Sequence, residues 1–333
     1  MYKAMYYKKE DTMVKCLLCP RGCLISEGYV GLCGARKVVD GELVSTNYGI
    51  LTAIQWDPME KKPLYHFYPG TEILSLGTYG CNLFCSFCQN WCLARSKRQS
   101  KSKLYTPGDI LEMLEIRGGP DKSLGVAFTY NEPFVWYEFV YNTARLLNKK
   151  GYRNVLVTNG YINSEPLLDI LPYIDAMNID VKGFSDSFYH QHCQGLRKPI
   201  METVEIAIQA CHVEVTCLLI PSLNDSAEES RDLSAWLSSL SSDLVLHYSR
   251  YFPQYKLSLP PTSIDKMIEL RAIAREKLRY VYLGNTEIPG AGDTRCPYCD
   301  NLLISRFGYK VQIIGLEGVT CNKCKNKTSL ILS

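Results

Sequence analysis

The sequence predicts an α/β fold built on a parallel sheet, and two observations carry that prediction. Short apolar, β-rich runs recur through the middle of the chain, at 73–76, 125–129, 154–158, 176–181, 213–220, 243–248 and 279–283. Most are continuously apolar, as expected of parallel strands covered on both faces. Segments with helical spacing lie between them. In 264–278, Met267, Leu270, Ala274 and Leu278 share one face behind a Thr262-x-x-Asp265 capping signal. A longer stretch, 134–150, is closed by Gly151. Strand–helix units of roughly thirty residues imply right-handed βαβ crossovers. Six or seven such units fit either a partial barrel or a doubly wound sheet, and the pattern alone does not separate the two.

The 333 residues are enough for a large core and about two domains. With 46% hydrophobic and 21% charged residues, the composition is that of a globular protein. A net charge of +3 gives no strong field for nucleic acid or an anionic membrane. One local basic run (Arg95, Lys97, Arg98, Lys101, Lys103) reads as a solvated loop. No apolar run reaches the roughly 20 residues that cross a bilayer, and the N-terminus lacks the apolar core of a secretory signal. A cytoplasmic location is therefore expected. Of fifteen cysteines, eleven fall into three tight groups, which in a reducing compartment suggests metal sites rather than disulfides.

The central group is Cys81-x3-Cys85-x2-Cys88, with Phe87 before the third cysteine, directly after the first strand of the series. That places it at the C-terminal end of the strand, where parallel α/β folds carry their active sites. Three thiolates on one loop suit a [4Fe–4S] cluster with one iron left open to an amino-acid-like ligand. A structural zinc knuckle completed by Cys92 is the alternative.

With these residues the chain resembles the radical S-adenosylmethionine (SAM) superfamily, in the branch related to pyruvate formate-lyase activating enzyme. The resemblance covers 66–290 and implies a radical SAM partial (β/α)6 TIM-like barrel. Further landmarks support it. Glu132-Pro133 match the end of the activase Gly-Gly-Glu-Pro motif, while Tyr130 and Asn131 stand in place of its glycines. Thr158-Asn159-Gly160 match the third-strand loop, but Val157 replaces an aspartate that holds a monovalent cation in pyruvate formate-lyase activase. Asp180 and Lys182 match the fourth strand's end, and Leu218–Pro221 with Asn224-Asp225 the fifth. The resemblance implies that Cys81, Cys85 and Cys88 hold the cluster that carries the chemistry. It also implies that Phe87, Asn131, Glu132, Asn159, Asp180 and Lys182 bind SAM. Tyr130, His190, His247 and Arg250 are candidates for facing the substrate.

Two cysteine-rich pieces flank this core. Residues 1–65, read as irregular, carry Cys16-x2-Cys19-x3-Cys23-x9-Cys33, a four-cysteine site for zinc or an auxiliary iron–sulfur cluster. Residues 291–333 carry Cys296-x2-Cys299 and Cys321-x2-Cys324, separated by a spacer that can form a hairpin. This is the spacing of a zinc ribbon, in which zinc supplies the folding energy.

The three-part layout is similar to the radical SAM enzymes of the AmmeMemoRadiSam system. The similarity rests on Cys16-Leu-Leu-Cys19-Pro-Arg-Gly-Cys23, Glu60–Pro69, Thr129–Pro133 and Ser249–Pro253. It implies Memo-like and AMMECR-like partners, besides a one-electron donor such as ferredoxin or flavodoxin and a substrate that the sequence does not identify. The function expected is reductive cleavage of SAM to a 5′-deoxyadenosyl radical that takes hydrogen from a small molecule, an RNA or a protein side chain. The alternatives are an activase that installs a glycyl radical on a partner enzyme and, from another class, a non-catalytic zinc-binding scaffold or nucleic-acid-binding protein.

Overall fold

The structure is a computed structural model that describes residues 1–96 and 103–332. Lys97, Arg98 and Lys101 of the basic run lie outside the described residues. Its centre is a sheet of eight strands: β1 (Ala53–Pro58), β2 (Glu72–Gly77), β3 (Gly125–Phe128), β4 (Arg153–Thr158), β5 (Ala176–Asp180), β6 (His212–Leu219), β7 (Val245–Arg250) and β8 (Tyr280–Gly284). They lie side by side in chain order. β2 to β8 are parallel and correspond to the seven apolar runs of the sequence, while β1 pairs antiparallel with β2. Strands placed in chain order need crossovers of one hand, which is barrel-like winding rather than double winding. β1 and β8 remain edges, so the sheet does not close into a barrel.

The central strands are buried along nearly their whole length, which is why they read as apolar runs rather than alternating ones. Helix Tyr137–Asn148 covers the sheet with Tyr137, Phe139, Val140, Ala144 and Leu147, all fully buried. Helix Ile264–Arg275 buries Met267, Leu270 and Ala274 as its spacing predicts. Its cap is Ser263, which accepts from the Lys266 N–H, one residue after the expected Thr262. The Thr262 hydroxyl instead donates to the Leu219 carbonyl at 2.5 Å and ties that loop to the end of β6.

The N-terminal piece is more ordered than its sequence suggests. It forms two small antiparallel sheets, one of Tyr7–Glu10, Met13–Cys16 and Leu24–Ser26, the other of Tyr2–Lys3, Glu42–Ser45 and Arg36–Val39. These strands have two to four residues, too few for an alternating pattern to register. The C-terminal piece contains the expected hairpin, Leu302–Phe307 with Lys310–Ile313. It is anchored to the far side of the sheet: Ile331 donates to the His66 carbonyl and accepts from the Tyr68 N–H, each at 2.7 Å. No helix among the described residues is long and apolar enough to cross a membrane.

Candidate active site

The loop after β2 is irregular, and its backbone groups find partners on neighbouring elements, as buried backbone must. Phe84 N–H and Ser86 N–H donate to the carbonyls of Cys193 and His192, each at 2.9 Å. The Asn82 carbonyl accepts from Arg21 Nε at 2.8 Å, and the Leu83 carbonyl from Arg95. Asn131 fixes the start of the loop: its Oδ1 accepts from Thr78 N–H at 3.0 Å and its Nδ2 donates to the Gly80 carbonyl at 2.9 Å.

So held, Cys81, Cys85 and Cys88 line one pocket at the C-terminal end of the sheet. Phe87, Asn131, Glu132, Asn159, Asp180 and Lys182 line the same pocket, so the structure brings all nine residues of the core motif set together. Cys92 is exposed and is not part of the lining. Among the described residues three thiols line the pocket, which suits a cluster with an open iron. The Cys81 sulfur receives two N–H donors, from Leu83 and from Asn159 Nδ2, each at 3.5 Å. As free thiols all three are held protonated: burial pushes Cys81 and Cys88 up, and the neighbouring Cys193 thiol, then burial, raises Cys85. A bound metal replaces those protons.

Ionisable groups of both signs face this space. Burial pushes the Glu132 carboxyl up to about 7, against the pull of the Asn159 and Phe134 N–H groups and the Thr158 hydroxyl. Its oxygens accept from Phe134 N–H at 3.0 Å, Thr158 Oγ1 at 2.7 Å and Asn159 N–H at 2.8 Å. A carboxylate has about four acceptor positions, so one is left for a ligand. Lys182 donates to Asp180 Oδ2 at 2.9 Å. Burial by itself would lower the Lys182 ammonium; the Asp180 carboxylate and the thiols of Cys85 and Cys193 outweigh it and hold its pKa well above the usual value.

Tyr130 takes the position of a family glycine and adopts φ +72, in the left-handed region that glycine favours. It lines the pocket, its ring lies over the Lys62 ammonium at 4.8 Å, and its hydroxyl reaches Asp57. The other substrate-facing candidates lie elsewhere. His247 is buried against Glu214 at 2.6 Å. Arg250 is engaged with the Thr262 carbonyl at 2.8 Å. His190 is exposed and outside the lining. Thr216 and Ser249, polar residues near the ends of β6 and β7, do line the pocket. Cys193 had no motif to mark it, and only the fold sets it against Cys85.

At the C-terminus, the ligand atoms of Cys296, Cys299, Cys321 and Cys324 lie within 4.8 Å of one another, a set that can hold a metal ion.

Comparison with known proteins agrees with this geometry. Residues 75–233 match the model of the radical SAM superfamily. Over 340 aligned positions the chain is 40% identical to an uncharacterized protein of Methanocaldococcus jannaschii, covering the whole of both. It is 26% identical over 211 residues to the pyruvate formate-lyase-activating enzyme of Clostridium pasteurianum, spanning 60% of this chain and 83% of that one. Among solved structures, SuiB of Streptococcus suis bound to S-adenosylmethionine superposes with a TM-score of 0.50 at 13% identity, over 64% of this chain and 52% of that one.

Proposed function

The chain belongs to the radical SAM superfamily, and from that premise we propose that it reductively cleaves SAM in the pocket at the C-terminal end of the sheet and takes hydrogen from a substrate bound there. The observation that carries this reading is the convergence of three thiols of one loop with Glu132, Asn159, Asp180 and Lys182 on a single pocket. Cys81, Cys85 and Cys88 would hold a [4Fe–4S] cluster, which when bound would supply one-electron reduction of the SAM sulfonium.

The chain's own residues bind, orient and exclude water. The Lys182 ammonium attracts the carboxylate of an amino-acid-like ligand, and the free acceptor position on Glu132 takes its ammonium group. Asn159 links the two ends of the site, because its N–H donates to Glu132 while its side chain donates to Cys81. Leu83, Phe87 and Leu218 supply apolar wall, which strengthens these charge contacts by keeping water out.

Anaerobically prepared protein given SAM and dithionite is expected to release 5′-deoxyadenosine and methionine, read by mass spectrometry. Absence of 5′-deoxyadenosine from protein with a full iron complement would overturn the reading. An activase role is the second reading, favoured by the similarity to pyruvate formate-lyase-activating enzyme. A glycyl-radical signal in a co-purified partner decides for it. A cytoplasmic donor of the ferredoxin or flavodoxin class, and Memo-like and AMMECR-like partners, belong to the same proposal, the latter two on sequence resemblance alone. At the C-terminal thiols we propose zinc, on the compact four-sulfur geometry. The parts are proposed as a metal-binding region over 1–65, a core over 66–290 and a ribbon over 291–333, with β1 of the first contributing the sheet's antiparallel edge.

A further inference from the structure

Four cysteines outside the pocket, Cys16, Cys19, Cys23 and Cys33, line a second, small cavity together with Arg21 and Arg36. Their spacing differs from that of the C-terminal set. There, Cys296 and Cys324 bring their sulfurs to 3.5 Å, and Cys299 and Cys321 to 3.8 Å. A single tetrahedral zinc with metal–sulfur bonds of about 2.3 Å wants thiolates about 3.8 Å apart. Among the described residues no other three ligand atoms of this kind gather within 4.8 Å of one another. The N-terminal cysteines thus surround a space rather than a point. The three cysteines of the pocket loop share that wider spacing. A cube of iron and sulfide needs such a space, because its metal atoms stand between the thiolates.

Two of the residues that line the cavity also carry unpaired donors. Arg36 is 1% exposed; its Nη2 binds Glu138 at 2.6 Å and its Nη1 the Met5 carbonyl at 3.0 Å. Its Nε has no partner, and neither has the buried Nη2 of Arg21. A buried donor without a partner is costly, so two of them on residues beside one cavity favour an acceptor bound there. Bridging sulfides and thiolates of an anionic cluster are such acceptors.

We propose that Cys16, Cys19, Cys23 and Cys33 hold a second iron–sulfur cluster, of the [4Fe–4S] type, with N–H groups of Arg36 and Arg21 donating to its sulfur atoms. With a thiolate on every iron, it has no open position for SAM or substrate and is a one-electron carrier. It stands beside the pocket loop: Cys81 N–H donates to the Cys33 carbonyl at 3.2 Å.

The test removes the pocket's cysteines (Cys81→Ala, Cys85→Ala and Cys88→Ala together) and purifies the chain without oxygen and without added iron. The result expected is about four irons and four sulfides per chain, with an electron-paramagnetic signal of about one spin after dithionite. Both are lost when Cys19→Ala and Cys23→Ala are added. Zinc in place of iron, falling by one per chain on those two substitutions, overturns the proposal. Iron taken up only during chemical reconstitution overturns it too. If the triple variant precipitates, Cys16→Ala with Cys19→Ala in the otherwise unaltered chain gives the same reading. Iron then falls by about four per chain, whereas unchanged iron with one zinc lost refutes the site. None of these readouts involves SAM, so failure here and failure of the pocket reading are told apart.

Discussion

Glu132 is the residue on which the pocket's geometry turns, since one carboxylate holds the Phe134 and Asn159 backbones and the Thr158 hydroxyl. Glu132→Gln keeps the shape but sets an amide donor against at least one of those donors and removes the charge offered to an ammonium group. A hydrogen bond to a charged group is worth about 1.5–3 kcal/mol, so SAM affinity measured by calorimetry is expected to fall roughly tenfold to a hundredfold, with iron content per chain unchanged. His66 supports the opposite end of the sheet. Burial pushes its imidazole down to about 3, and its ring nitrogens meet Tyr282 Oη at 2.7 Å and Ser329 Oγ at 3.2 Å. The unfolded chain therefore takes up a proton below its ordinary value near 6.5, while the folded chain resists until about 3. Stability is full above that window and declines as pH falls through it, by up to about 1.4 kcal/mol per pH unit. Urea titrations of His66→Gln between pH 7 and 4 are expected to give a shallower acid slope than the parent chain.

Two elements meet at Gly80, where the pocket loop crosses the N-terminal cysteine loop. Its φ is +96, and a Cβ there would stand 2.7 Å from the Cys33 carbonyl oxygen. Gly80→Ala thus combines a left-handed penalty of about 1–2 kcal/mol with a clash against backbone that cannot rotate away. The expected outcome is a lower Tm, with faster amide exchange confined at first to the two cysteine loops. The strand elements were legible in the sequence because full burial makes them continuously apolar. The N-terminal sheets were not, because their strands are short, and the capping residue of helix Ile264–Arg275 was misplaced by one because Thr262 is spent on the end of β6.

For the whole molecule, the C-terminal piece is a brace rather than a tail. Arg306 reaches Glu60 at 3.4 Å with both side chains almost fully buried, and it donates to the Tyr65 carbonyl at 2.7 Å. Glu60 in turn accepts from Gly70 N–H at 3.0 Å. The segment that carries His66 is therefore held between the sheet and the C-terminal piece. A structural tetrathiolate metal contributes on the order of 10 kcal/mol to such a module. Removing it with a chelator, or by Cys321→Ser, is expected to lower the Tm of the whole chain and to raise amide exchange over 60–71. Calorimetry and exchange mass spectrometry check this; a transition unchanged by metal removal would refute the brace.

By itself the sequence determined the parallel α/β core, the cysteine spacings and the position of the central motif after the first parallel strand, because each is a local regularity that burial or metal chemistry imposes on neighbouring residues. Tertiary structure decided what lies across from what. It placed Glu132, Asn159, Asp180 and Lys182 around the same three thiols, set Cys193 against Cys85 and turned His247 inward to Glu214. It also gathered the ligand atoms of the C-terminal four cysteines within 4.8 Å of one another, which it did not do for the N-terminal four. The physical reason is the same in each case: a residue's chemical role depends on partners far away in the chain, and only the folded backbone brings them within reach.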